Sequence, residues 1–253
     1  MSLTTVPGAP IWIELYTSDP AGAQRFYADL FGWSAETAGP EYGGYVTFHR
    51  AGEPVAGCML NDGTTGGVNS WSVYLESNDV EATVGMAEAN GGQIEIEPMQ
   101  VGTLGHMAFV IDPAGARIGI WQPDSMTGFA VRGAVGAPGW FEVLSTDFAA
   151  AVPFYENVFG WSTHPMSDTD EFRYTTLGKD DLALAGVMDA SRFASNSAWS
   201  VYVEVADTDA TVAAAVAGGG SVLAAAEDTP VGRLAELADP SGAVFKVMGP
   251  TGA

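Results

Sequence analysis

Apolar residues along the chain switch between two periods in a repeating order. Trp12 to Thr17 alternates as a strand does, with Trp12, Glu14 and Tyr16 on one face. The period then lengthens: Ala23, Phe26, Tyr27, Leu30 and Phe31 fall on one stripe of a helix that Asp19 can cap, Pro20 can open and Gly32 can close. Runs of strand character follow around Ser34, at Tyr45 to His49 and at Val55 to Leu60, with a turn at Ala51 to Glu53. The order then begins again. Trp71 to Glu76 predicts a strand, Asp79 caps a helix that ends at Gly91 and Gly92, and strands are expected near Gln93 to Ile96, Met107 to Ile111 and Arg117 to Trp121. Each unit reads βαβββ.

The pair of units is itself repeated. FYADLFGWS, from Phe26 to Ser34, returns as FYENVFGWS from Phe154 to Ser162, and between Trp12–Ser34 and Trp140–Ser162 there are 11 identities in 23 positions. WSVYLESND at Trp71 returns as WSVYVEVAD at Trp199, and DPAGA at Asp112 returns as DPSGA at Asp239. A period near 128 residues is the size of a compact domain and too long for a solenoid. The chain therefore predicts two tandem copies, residues 1–127 and 138–253, joined by a glycine-rich linker at 128–137. Phe26, Tyr27, Phe154 and Tyr155 belong to the buried stripe of the first helix in each copy. Pro153, inside the second of those helices, is expected to kink or delay it.

Composition narrows the function. With 253 residues, 47% of them hydrophobic, each copy can bury its own core. Nine basic against 31 acidic residues give a net charge of −22, carried by both copies: 15 acids and 3 bases precede residue 129. Such a surface repels nucleic acid, keeps the chain soluble and favours cationic over anionic ligands. The single cysteine, Cys58, excludes an internal disulfide framework and reads as a small buried hydrophobe. The opening MSLTTVPGAP lacks the features of a signal peptide, and no apolar run approaches the ~20 residues of a membrane span. A cytoplasmic monomer or homodimer is expected, without nucleic-acid or membrane partners.

The capping Asp, Phe-Tyr and Phe-Gly-Trp run in each half, with the DPAGA and DPSGA turns before the last strand, resembles the vicinal oxygen chelate superfamily of glyoxalases, bleomycin-resistance proteins and extradiol dioxygenases. The likeness covers both halves and is greatest to two-domain, glyoxalase-like or hydroxylase-like actinobacterial proteins. It implies an α+β fold in which four βαβββ modules pair into two half-open eight-strand barrels, each around a small-molecule cavity.

The resemblance also implies where a divalent metal would be held. One ligand position lies seven residues before each helix-capping Asp, and here those positions are Trp12, Ser72, Trp140 and Ser200. The other is the fourth residue after the DPxG turn, occupied by Gly119 and Lys246. None supplies an imidazole or carboxylate, and the three histidines, His49, His106 and His164, are far apart in sequence. The expectation is a protein without metal or other cofactor, whose pocket takes a small aromatic molecule. Trp12, Tyr16, Trp121 and Trp140 are candidate walls, although the tryptophans could equally fill the vacated space. Glu14 and Glu142, on the same faces, are candidate acid–base groups, or partners in structural hydrogen bonds. His106 and its counterpart Arg233 are candidate anion partners, or equally surface or structural groups, His106 also a catalytic candidate, and Lys246 is a fixed positive charge where the ion would sit. Two function classes follow, a cofactor-independent enzyme of secondary metabolism or a drug- or metabolite-sequestering protein. A metal-dependent glyoxalase or dioxygenase ranks below both.

Overall fold

The computed structural model describes residues 6–39, 42–64 and 67–252. In the first half, β1 (Pro10–Thr17), α1 (Pro20–Phe31), β2 (Trp33–Thr37), β3 (Val46–Arg50) and β4 (Glu53–Leu60) form one unit. A second comprises β5 (Ser70–Glu76), α2 (Val80–Ala89), β6 (Gln93–Val101), β7 (Gly105–Ile111) and β8 (Arg117–Pro123). The second half repeats them as β9 (Pro138–Ser145), α3 (Phe148–Phe159), β10 (Thr163–Asp168), β11 (Arg173–Leu177) and β12 (Ala185–Asp189). Its last unit is β13 (Ala198–Glu204), α4 (Thr208–Ala217), β14 (Ser221–Thr229), β15 (Gly232–Ala238) and β16 (Val244–Gly249).

The four helices start where their sequences say. Asp19, Asp79, Asp147 and Asp207 each accept a hydrogen bond from the amide three residues on, which satisfies a donor that a helix start leaves open. Gly32 and Gly160 end α1 and α3 in the left-handed conformation. Pro153 does not behave as expected: α3 runs unbroken through it for 12 residues, the length of α1.

Each half is one open eight-stranded sheet, ordered β2-β3-β4-β1-β5-β8-β7-β6 and β10-β11-β12-β9-β13-β16-β15-β14. The first strands of the two units pair antiparallel at the centre, β1 with β5 and β9 with β13. Ile13, Leu15 and Trp71 face the helices and are buried, whereas Trp12, Glu14 and Tyr16 share the opposite, outer face with Ser72 and Tyr74.

The helix-bearing faces of the two sheets meet in one continuous core, with α1 against α4 and α2 against α3. The repeated FYxxxFGW motif forms that seam. Tyr27, fully buried, donates to Asp239 Oδ2 in the other half's DPSG turn at 3.1 Å and accepts from Trp71 Nε1 at 3.0 Å. Tyr155 repeats this reciprocally, donating to Asp112 Oδ2 at 3.0 Å and accepting from Trp199 Nε1 at 3.1 Å. Trp33 and Trp161 donate to the carbonyls of Gly136 and Gly8, again far along the chain. The aspartates use their remaining oxygen within the turn, accepting from the amides of Ala114 and Ala116 and of Ser241 and Ala243. Gly115 and Gly242 have φ of 97° and 91°, a backbone that favours glycine. The segment between β8 and β9 is tied down, with the Phe129 amide donating to Ile11 and the Gly136 amide to Glu204.

Candidate functional site

On the outer face of each sheet a carboxylate stands at the centre of a tyrosine cluster. In the first half Tyr74 Oη donates to Glu14 Oε1 at 3.0 Å, and Trp12 Nε1 donates to Tyr45 Oη at 3.0 Å, while Tyr45 also bonds Glu14. In the second half Tyr174 and Tyr202 both donate to Glu142, and Trp140 Nε1 donates to Tyr174 Oη at 3.0 Å. Lys246 Nζ completes this second cluster, 3.0 Å from Tyr202 Oη and 3.4 Å from Glu142 Oε1. Glycines in the neighbouring strands make the room. A Cβ on Gly57 would lie 1.7 Å from Tyr45 Oη, and one on Gly186 would lie 2.1 Å from Tyr174 Oη. At Gly119, the position of Lys246, the ring of Tyr74 takes the space instead, 2.4 Å from where a Cβ would be.

The burial that builds these clusters also sets their protonation. Desolvation raises the Glu14 carboxyl above its ordinary value, opposed by hydrogen bonds from Tyr45 and Tyr74 and by the charge of Arg117. Tyr174 and Tyr202 are raised by burial and then by the adjacent Glu142 charge, so both hydroxyls stay protonated donors. A carboxyl whose pKa is higher folded than unfolded stabilises the fold fully below its unfolded value and loses that contribution as pH rises through the folded value. Glu14→Gln is therefore expected to flatten the fall in stability from about pH 4.5 upward and to leave the protein no less stable than the parent at pH 7.5. Urea midpoints at pH 5 and 7.5 check this, and an unchanged pH slope would sink it.

The sequence-derived candidates divide by face. Glu14, Trp12 and Tyr16, and Glu142, Trp140 and Lys246, lie on the outer faces as expected. Trp12 and Trp121 are largely enclosed, 4% and 7% exposed, with Trp12 against Phe129 and Trp121 donating to Met126 O. They fill the first cavity rather than wall it, while Trp140 is half-buried. His106 does not join Glu14. It pairs in register with Gln122, whose side chain accepts from the first amide of α2, so it stands on the helix side of the sheet near Asp124. Arg233 likewise lies on the helix side, held by Asp209 of α4 and by Asp228. Neither stands beside the central carboxylates, because one step along a strand reverses the face. Cys58 is buried, its thiol pushed up to about 12 by burial.

The four tyrosines were not singled out in the sequence, although Tyr74 and Tyr202 lie two residues after Ser72 and Ser200 and so share their face. Gly57 and Ser72 in the first sheet, and Gly186 and Ser200 in the second, stand beside the central carboxylates. With Trp12, Gly119, Trp140 and Lys246 around them, this donor set does not suit a divalent ion, and an ammonium occupies part of the second site. Among the described residues no three His, Cys, Asp or Glu side chains come together in a metal-binding group. No helix among them is long and apolar enough to cross a membrane.

Comparison with known proteins agrees with this architecture. Residues 10–120 match the Glyoxalase/Bleomycin resistance protein/Dioxygenase superfamily, and residues 140–248 match the glyoxalase-like domain family. The chain is 36% identical over 249 residues to a Mycobacterium bovis protein named "Putative glyoxylase CFP32", covering 96% of this chain and 95% of that one. It is also 36% identical over 263 residues to the anthracycline biosynthesis protein DnrV of Streptomyces peucetius, covering 96% and 93%. Among solved structures, the Mn(II)-bound glyoxalase from Novosphingobium aromaticivorans superimposes with a TM-score of 0.68 at 13% identity, covering 98% of this chain and 84% of that one.

Proposed function

The chain belongs to the glyoxalase/bleomycin-resistance/dioxygenase superfamily, and on that premise we propose that it serves secondary metabolism by binding a small aromatic molecule, without a metal, on the outer face of its second sheet. The observation that carries this reading is Lys246, an ammonium at a family ligand position, hydrogen-bonded to Tyr202 and Glu142. It offers an anionic oxygen the positive charge that an ion would otherwise supply. Glu142, which accepts from both tyrosines, gives the cluster a carboxylate that can take up a proton. Phe172, 44% exposed, lies nearly parallel to Tyr174 with ring centroids 5.7 Å apart, an aromatic step at the rim on which a flat ligand can stack. The relatives named for anthracycline biosynthesis, from Streptomyces, support a polycyclic phenolic ligand.

The test is a titration of the protein with an anthracyclinone, followed by tryptophan quenching, before and after dialysis against a chelator. Saturable binding that survives chelation is expected, weakened about tenfold, or ~1.4 kcal/mol, in Lys246→Met. Turnover of the ligand would identify an enzyme, and binding without turnover a sequestering protein. Stoichiometric metal with chelator-sensitive binding, or unaltered affinity in Lys246→Met, would overturn the reading.

A further inference from the structure

The segment between β8 and β9 folds over the junction of the two halves and borders a cavity of about 280 Å³. Pro10 and Ile11 of β1, Phe129 and Arg132 of the connecting segment, Leu184 of the second half and Glu76 at the end of β5 contribute to its wall. None of these residues belongs to the Glu142–Lys246 cluster. Arg132 is the unusual member. Its guanidinium lies over the rings of Phe141 and Phe129, 4.8 Å and 5.7 Å from their centroids, and donates to the carbonyl of Leu184 at 3.3 Å. Arg117, Arg173 and Arg233 each hold a carboxylate. Arg132, in a chain with 31 acidic residues, forms no ion pair within 4.0 Å among the described residues.

We propose that this junction cavity is an anion site, in which Arg132 receives the carboxylate or phenolate of a small, flat, otherwise apolar acid. A guanidinium partly withdrawn from water without a counter-ion is destabilising, and a fold that keeps one facing a cavity leaves its hydrogen-bonding fork for a ligand. Burial lowers the Arg132 pKa to about 10. Pro10, Ile11, Phe129 and Leu184 give the ligand an apolar wall beside which a charge-assisted, two-pronged hydrogen bond is strengthened. The net charge of −22 opposes general adsorption of anions, so an acid that binds here does so through this local arrangement.

The experiment titrates 2-naphthoate and its neutral counterpart 2-naphthamide into the full-length protein, into Arg132→Met and into Lys246→Met, by calorimetry. The wild type and Lys246→Met are expected to bind the acid at this site at least about tenfold more tightly than the amide, and Arg132→Met to lose that preference. Retention of the preference in Lys246→Met separates this site from the sheet-face site, whatever becomes of the latter. Thermal unfolding of the ligand-free protein gives the second readout. Because Arg132 lacks a counter-ion, Arg132→Met is expected to raise the midpoint by roughly 2–4 °C, the mark of a residue kept for binding at some cost in stability. Equal affinity for acid and amide in the wild type, a preference that survives Arg132→Met, or a midpoint that falls in that variant would overturn the proposal. The last result would make Arg132 a structural cation stacked on Phe129 and Phe141.

Discussion

Tyr27→Ala and Tyr155→Ala are each expected to cost about 3–5 kcal/mol of folding stability, as deletions of fully buried aromatic rings do. Tyr27 lies within about 6 Å, ring to ring, of Phe31, Trp33, Phe48, Trp71 and of Phe245 in the other half, so its removal opens a cavity shared by both sheets. The hydroxyl has a separable share. Tyr27→Phe keeps the ring but leaves Asp239 Oδ2 without its donor and Trp71 Nε1 without its acceptor, an expected loss of about 1–3 kcal/mol. Because the partner lies 212 residues away, that loss is specific to the contact between halves. A double-mutant cycle of Tyr27→Phe with Asp239→Ala, by urea denaturation, should give a coupling above about 0.5 kcal/mol. Coupling indistinguishable from zero would show that the two groups do not act on each other.

The second large effect concerns the paired tryptophans. Trp12 is 4% exposed and packs on Phe129, so Trp12→Ala should cost about 3–5 kcal/mol. Trp140, half-buried on the corresponding strand, should cost less in stability. It should instead weaken binding of an aromatic ligand at the second sheet, by about 0.5–1.5 kcal/mol of stacking. Denaturation midpoints beside anthracyclinone titrations separate the two roles. A larger stability loss for Trp140→Ala than for Trp12→Ala would contradict the assignment of the site to the second half.

Much of the fold could be read from the chain because its signals are local. A capping Asp, a following apolar stripe and a closing glycine place α1 without reference to anything distant, and the duplication gives a second reading of each element. Pro153 was misleading for the converse reason: a proline is a local penalty of about 3 kcal/mol, and packing of Phe154, Tyr155 and Phe159 in the common core outweighs it. The seam had no local signature. Tyr27 and Tyr155 read as ordinary members of an apolar stripe, and nothing near them in sequence names Asp239 or Asp112. In the candidate site, strand alternation correctly put Glu14 with Trp12, since both lie on one strand. It was not applied to His106 and Arg233, whose faces depend on register across neighbouring strands. Of the tyrosines around Glu14 and Glu142, Tyr74, Tyr174 and Tyr202 come from β5, β11 and β13 and Tyr45 from the residue before β3, and only the fold brings them to the carboxylates.

The reciprocal seam has a thermodynamic meaning of its own. Each half gives a tyrosine to the other's turn and receives one at its own, the isologous arrangement of a twofold-symmetric dimer. Two separate chains joined in this way would part on dilution, because their association depends on protomer concentration. Carried on one polypeptide, the same contact forms at the effective concentration set by a short connecting segment, so its occupancy is independent of how much protein is present. The two copies are also encoded separately, which lets one sheet carry Lys246 while the other carries Gly119 at the matching position, an asymmetry that a dimer of identical chains cannot hold.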